Sequence, residues 1–473
     1  MRRVLTIAIV ILLTRSTSAQ KADVRIRPLL TKHVEAMDEF ARWCGRNGLF
    51  REKNRVLVAI IAFDFDHQYA RHESGWRRLG KKKWERVKGF RRPIKTNKDM
   101  APGWKARANE SANRYVTDVA PKLAALKPSL TKAELRRLHS TMLGVAPRHD
   151  GLRVLLGERK VGRRWLLKES LPTKGRRKQL AQNGKLLLEG AGDPAETGYT
   201  EAERKVGMEW KSSSILHEVR VVGTVPKKDV QDACRLARAT LVFARMAMHS
   251  PVKPFQGFTI YVLNSREEAR RFLHFFPGVS DANRKAAEGL SSCWLGDSSN
   301  VVIWTESKER RREWIARQTV AMLLQNGWNI RTQQASLFEG LGIYLSHKMC
   351  GFRTTWYVRP SRYGRTGRDK DETQTLRKTK DWLRLARRRV GSTPPTYRRL
   401  FSLDLTQMVT DDLLDSFVFA AYLMEAARDE REAYLTKIGQ GQNFEHAVMD
   451  VWGMDVPALE TRVFRWLKET KSR

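Results

Sequence analysis

Cysteine is scarce. Four in 473 residues (Cys44, Cys234, Cys293 and Cys350) exclude a disulfide-dense scaffold and a cysteine-rich zinc module, and their spacing fits no metal site. One disulfide or none is the expectation. Acidic residues are also few: 51 Asp and Glu stand against 89 Lys and Arg, a net charge of +38. Long apolar runs are missing. Beyond Leu13 no segment approaches the roughly 18 apolar residues of a membrane helix, and a mean hydropathy of −0.52 excludes a polytopic membrane protein. The chain holds no P-loop, no G-x-S-x-G and no G-x-G-x-x-G. Gly364-Arg365-Thr366-Gly367 sits in a basic stretch without the Lys-Ser/Thr pair that a phosphate cradle needs. No RNP, zinc-finger or helix-turn-helix pattern is present, so sequence-specific nucleic-acid binding is not expected.

What is present is enough for a folded protein. Hydrophobic residues make up 41% and tryptophans number 14, which rules out a wholly disordered chain. The length suggests about two or three domains. Met1-Arg2-Arg3, an apolar run from Val4 to Leu13 broken only by Thr6, and small residues at Thr17 and Ala19 make a secretory signal peptide, cleaved after Ala19. The mature chain is then expected in the periplasm or outside the cell, without a transmembrane anchor. Basic residues concentrate in 20–205 and again in 353–399, while the rest of the C-terminal half is near neutral. Such zones suit a polyanionic envelope component; they also suit an ordinary solvated face.

The N-terminal half contains a repeat. His67, Arg71, Gly75, Arg77 and Gly80 recur as His149, Arg153, Gly157, Arg159 and Gly162 at a constant offset of 82, and Trp84 recurs as Trp165 after a one-residue deletion. Helical spacing precedes each copy: Val34, Met37, Phe40 and Ala41 in the first, Pro121 to Leu143 in the second. Arg46-Asn47-Gly48 reads as a helix stop, and Leu57 to Phe63 as a second helix. The paired glycines and the Trp predict a small hairpin whose Trp packs back. His67 and His149 each stand alone beside an Arg, a setting for capping or packing rather than for metal. Over about 60 residues of the helical repeat region 20–169 these helix pairs resemble tetratricopeptide-like units, which implies a packing or protein-binding role. Residues 170–205, with Lys174-Gly175-Arg176-Arg177-Lys178 and Gly190-Ala191-Gly192-Asp193-Pro194, show little periodicity and are expected to be a linker.

Residues 206–473 read as α+β. Ile215 to Thr224 is a predicted strand, Asp229 to His249 a helix and Phe258 to Leu263 a strand. Ser265 and Glu268 open a helix to Phe276 as a capping box. Leu290 to Trp294 and Val301 to Trp304 form a predicted hairpin across Gly296 to Asn300. Helices follow over 311–326 and 335–348, and residues 411–470 are nearly all helix. Asp411, Asp412 and Asp415 complement a first-turn dipole there, and Asp455 caps a helix with Pro457 in its first turn.

That order brings Arg317-Gln318-Thr319-Val320-Ala321-Met322 before Ser336-Leu337-Phe338-Glu339-Gly340-Leu341-Gly342-Ile343-Tyr344. The second segment resembles the W-L-x-E-G-L-A-x-Y helix of gluzincin zinc peptidases, and the chain over about 206–470 is similar to the exported bacterial "peptidase MA-like" group. Gly439 and Pro457 in the helical tail fit that resemblance, which implies a zincin-like fold. In that family two His on one helix face and a Glu on the next helix bind zinc, and a Glu beside the first His activates water. Here the His positions read Gln318 and Met322, the catalytic Glu position reads Thr319, and only the third-ligand position keeps its carboxylate, Glu339. An amide and a thioether are poor zinc ligands, and a threonine is no general base near neutral pH. His217-Glu218 and His72-Glu73 lack a second His at the required spacing. The resemblance therefore implies a pseudopeptidase with no catalytic residue, metal or cofactor expected, serving as a peptide- or protein-binding scaffold. Glu339 is expected to pair with an arginine such as Arg317 or Arg331. Gly340 is expected to allow close helix packing, and Tyr344 to pack in the core rather than stabilise an oxyanion. Two other readings stand beside this one. An active, divergent zinc hydrolase could be centred on Glu339 with a His such as His347, although eight residues along a helix separate them by about 12 Å. A polyanion-binding protein could act through the basic zones.

Overall fold

The computed structural model describes residues 17–80, 83–126, 130–249, 251–253, 255–287, 291–295, 299–305, 307–351, 353, 355, 375–390 and 396–470, with side chains from residue 28 onward except at 282, 283 and 286. Of the expected leader, residues 1–19, Met1 to Ser16 thus lie outside the described residues, as do Gly364 to Gly367. Among the described residues no helix is long and apolar enough to cross a membrane. The chain divides into two compact units: one runs to Lys168 and takes in Trp452–Met454, and the other holds Glu169–Val451 and the residues from Asp455 on.

The first unit is helical. Helix α1 (Thr17–Arg46) buries Leu30, Val34, Met37, Phe40, Ala41 and Cys44, one stripe at helical spacing. The chain turns at Gly48, whose φ of +70° is a glycine conformation. It returns as α2 (Phe50–Phe63), which packs on α1 through Val56, Leu57, Ile60 and Phe63. After α3 (Gln68–Glu73) and the hairpin β1 (Trp76–Arg78) and β2 (Trp84–Arg86) come α4 (Ala101–Arg114) and a π-helical turn over Tyr115–Val119. Helix α5 (Ala120–Ala125) follows, then α6 (Lys132–Val145), which Thr131 and Glu134 open with a reciprocal capping box. Helix α7 (Asp150–Leu155) and the hairpin β3 (Glu158–Val161) and β4 (Arg164–Leu167) complete the unit.

The two repeat copies are the same motif in three dimensions. His67 Nδ1 accepts the Ala70 N–H at 3.3 Å, and His149 Nδ1 accepts the Leu152 N–H at 3.2 Å, so each histidine is the N-cap of its short helix. Arg71 Nε donates to the Phe65 carbonyl at 2.8 Å, and Arg153 Nη2 donates to the Pro147 carbonyl at 2.8 Å. Each guanidinium lies 5.9 Å from the ring centre of the hairpin tryptophan, Trp84 or Trp165. Gly75 and Gly157 turn into the hairpins at φ of +81° and +80°. Their carbonyls accept the N–H of Val87 at 2.9 Å and of Lys168 at 3.0 Å.

Two histidines sit in the core of this unit. The His33 ring lies 5.5 Å from those of Phe63 and Tyr115, and His139 Nδ1 is 2.9 Å from the Tyr115 hydroxyl. Burial, with the nearby Arg114 charge, pushes His33 down to about 4. Burial, with Arg136, does the same to His139. Both are neutral in the folded unit, and both take up protons near 6.5 when it unfolds. Their contribution is therefore complete above pH 6.5 and is lost as pH falls towards 4, on the order of 3 kcal/mol for each. Amide protection over residues 30–63, corrected for the intrinsic pH dependence of exchange, is expected to fall across that window in the wild type and to fall less in His139→Gln. A flat wild-type profile from pH 7 to 4.5 would contradict the assignment.

The second unit is α+β, with a six-stranded mixed sheet in the order β5-β6-β7-β8-β10-β9. It opens with α8 (Thr173–Glu189), β5 (Ala195–Glu196) and α9 (Glu201–Lys205). This corrects the expected linker over 170–205, which holds a helix of 17 residues. The helix escapes a search for apolar periodicity because its packing face is made by Thr173, Arg177 and Gly184, where the missing Cβ lets the Lys348 carbonyl approach.

Strands β6 (Ser212–Leu216) and β7 (Val219–Gly223) come next, antiparallel to each other. They replace the single strand expected over 215–224. The chain reverses at His217, which takes a φ of +54° without the usual glycine or asparagine. Helix α10 (Lys227–Met248) packs on β6 and β7 and leads to β8 (Phe258–Leu263), parallel to β7. Helices α11 (Arg266–Phe275) and α12 (Asp281–Ala287) lead to β9 (Ser292–Trp294) and β10 (Asn300–Trp304). Those two strands form the expected hairpin, and β10 runs parallel to β8. Val222, Tyr261, Leu263, Phe272, Val302 and Trp304 make one core of the sheet. Ser265 caps α11 by accepting the Glu268 N–H, while the Glu268 carboxylate bonds the Asn264 N–H and Thr224 instead of closing the box on Ser265.

Helices α13 (Lys308–Met322) and α14 (Ala335–Cys350) pack on each other, and α14 packs on α17 further along the chain. After α15 (Trp382–Arg389) and α16 (Tyr397–Ser402) the tail consists of α17 (Thr410–Glu425), α18 (Arg428–Gly439), α19 (Phe444–Trp452) and α20 (Val456–Glu469). Asp455 caps α20 by accepting the Ala458 N–H at 2.8 Å. Asp412 bonds the Val409 N–H ahead of α17 and pairs with Arg399. Asp415 is buried and pairs with Arg389, a role beyond the dipole. All four cysteines are free thiols.

Candidate functional site

The residues aligned with a zinc site lie on α13 and α14, deep in the second unit. Arg317, Gln318, Thr319 and Glu339 have no exposed surface, and Met322 has 1%. The Gln318 side chain points to the β9 strand. Its Nε2 donates to Ser292 Oγ at 2.7 Å, and its Oε1 accepts the Trp294 indole N–H at 2.5 Å. Both ends of the amide are thereby used in tying α13 to the sheet edge. Thr319 Oγ1 donates back to the Ile315 carbonyl at 2.8 Å, the usual way a helical threonine disposes of its hydroxyl. Met322 is core packing.

Glu339 pairs with the residue just before these. Arg317 Nη2 stands 2.7 Å from Glu339 Oε2, so of the two arginines expected as partners the pairing falls on Arg317. The two glycines of the α14 motif are explained by the same contacts. A Cβ on Gly342 would overlap the Arg317 guanidinium, and a Cβ on Gly340 would overlap the backbone carbonyl of Ser416 on α17. Glycine at 342 is the space in which the ion pair sits, and glycine at 340 is the seam between α14 and α17.

One turn further along α14, Tyr344 reaches a second buried polar cluster that sequence reading missed. Its hydroxyl donates to Glu425 Oε1 at 2.8 Å. The same carboxylate takes a fork from Arg177 on α8, with Nε at 2.9 Å and Nη2 at 2.6 Å, and faces Lys348 at 4.0 Å. Burial drives Tyr344 well above the ordinary tyrosine range, with the Glu425 charge acting in the same direction. Tyr344 is thus a neutral donor to a structural carboxylate. Glu425 carried no signal in the chain, because its partners come from segments far apart in sequence. Arg177 sat in the basic stretch that reads as surface.

His347, the alternative companion of Glu339, is largely buried, and burial followed by Arg353 and Lys348 pushes it down to about 3. Among the described residues no three His, Cys, Asp or Glu side chains gather where they could hold a metal ion. His67 and His149 spend their Nδ1 atoms as helix caps. Chemically, the α13–α14 arrangement offers a neutralised carboxylate and a doubly bonded amide.

No protein-family profile matches the chain, and neither does a curated protein or a solved structure.

Proposed function

We propose that the second unit is a gluzincin-like fold whose catalytic positions have been turned into packing, and that the protein works after export as a non-catalytic scaffold that binds a peptide or a protein. The observation that supports this most is the Arg317–Glu339 pair, in which neither side chain has any exposed surface. In a working site the third carboxylate would face a divalent cation. Here the Arg317 guanidinium holds it by a short bond. A metal would have to evict that guanidinium into the core without a path to water, at a cost of several kcal/mol. The Gln318 amide and the Thr319 hydroxyl are likewise engaged in internal bonds. The first unit, with its paired helices and hairpins, supplies the surface on which a partner would be presented.

The test is elemental analysis of the purified chain together with a peptide-hydrolysis assay, with and without added zinc. The expected result is no stoichiometric zinc and no cleavage above background in either the wild type or Glu339→Gln. One zinc per chain and cleavage, both lost in Glu339→Gln, would replace this reading with an active divergent peptidase.

A further inference from the structure

A cavity of about 260 Å³ opens between α8, α10, α17 and α18, within the second unit. At about 30 Å³ per water it has room for eight or nine waters, and so for a small organic molecule. Its walls are of two kinds. Helices α8 and α18 bring Arg176, Gln179, Asn183, Arg428 and Arg431; helices α10 and α17 bring Phe243, Met246, Ala247 and Met424. Three guanidinium groups and two carboxamides thus face an apolar wall, and no carboxylate is among the lining residues.

Arg431 is the residue that needs an explanation. It is 4% exposed, its Nε has no hydrogen-bond partner, and its Nη1 lies 3.9 Å from the Met424 sulfur. A buried guanidinium without an ion-pair partner is expensive to keep. Two carboxylates lie close by in sequence, and the charge of one, Glu432, favours the cation. Glu425 holds Arg177 and Tyr344, and Glu432, on the same helix, is exposed and does not line the cavity. Burial first, and then the Arg428 and Arg176 charges, push Arg431 down to about 10, which still leaves it cationic at neutral pH. Arg176 is held in place by the carbonyls of Glu425 and Ala426, at 3.2 Å each, which use its Nη1. Arg428 is exposed at the mouth.

The geometry points to a binding site for a small organic oxyanion, a carboxylate or phosphate head carrying a short apolar body. The head meets Arg431, with Arg176 and Arg428 beside it; the body lies along Phe243, Met246 and Met424. Guanidinium groups match either head by forked hydrogen bonds, and Gln179 and Asn183 can serve as additional donors. The site owes nothing to the α13–α14 residues, so it stands or falls separately from the pseudopeptidase reading.

Isothermal titration of the full chain at low salt with phenylacetate, phenyl phosphate, inorganic phosphate and neutral phenylacetamide tests it. Phenylacetate or phenyl phosphate is expected to bind at least tenfold more tightly than phenylacetamide. The stronger of the two identifies the head, and weaker binding of inorganic phosphate than of phenyl phosphate shows that the apolar wall contributes. Arg431→Met is expected to lose at least tenfold in affinity for the better probe. Arg428→Ala, a surface change that leaves the fold intact, is expected to lose about threefold together with part of the salt dependence. Equal binding of charged and neutral probes to the wild type overturns the proposal even if Arg431→Met does not fold. Unchanged affinity in both variants overturns it as well.

Discussion

Arg317→Met is expected to destabilise the second unit by about 3–5 kcal/mol, the range for removing one partner of a fully buried ion pair. The loss is larger than that of a methionine-sized packing change because Glu339 stays behind with its charge and no water to solvate it. Glu339→Leu should cost a similar amount for the opposite reason, leaving Arg317 in the core. The double variant Arg317→Met/Glu339→Leu is expected to recover most of that, since an apolar pair of similar volume is often as stable as a buried ion pair. Urea unfolding of the three variants, followed by amide exchange in α13 and α14, gives the coupling energy. A single-variant cost below about 1 kcal/mol would mean that the pair is solvated and behaves as a surface one.

Gly340→Ala should also destabilise the second unit, although alanine is the better helix former by about 1 kcal/mol. The new methyl would fall on the carbonyl oxygen and carbon of Ser416, backbone atoms that cannot rotate away. Helices α14 and α17 would have to part, and overpacking of that kind costs about 1–3 kcal/mol and occasionally more. Gly342→Ala fails differently. Its methyl would displace the Arg317 guanidinium, so its cost is expected to approach that of Arg317→Met in the wild type and to shrink when Arg317 is already methionine. Additive costs at 342 and 317 would show that the glycine has another role.

These glycines mark how far the chain could be read before its structure. The Glu-Gly-Leu-Gly segment announced a tight helix contact and a carboxylate in need of an arginine, and both are found. Phe258 to Leu263, the Ser265 and Asp455 caps and the β9–β10 hairpin were legible for the same reason: local chemistry decides them. The reversal at His217 was not legible, since the strand residues on either side are alike and the turn carries none of the residues that signal a positive φ. Helix α8 was missed because an arginine fork, a threonine and a glycine dock it in place of an apolar stripe. The Arg176–Arg428–Arg431 cavity was beyond reach for a third reason. Its charges come from segments that sequence places some 250 residues apart, and nothing local distinguishes a buried arginine from a solvated one.

The duplicated motif of the first unit has a practical meaning. In each copy one arginine ties the carbonyl ahead of the short helix to the tryptophan beyond it, so the motif is braced from within. The one residue by which the copies differ falls between Gly80 and Trp84 in the first and between Gly162 and Trp165 in the second, where each hairpin's two strands join. Natural variation has thus already located the positions where added chain is harmless. An affinity tag, a fluorophore or a crystallisation chaperone's epitope spliced in after Gly162 should leave the brace, and everything it supports, as it was.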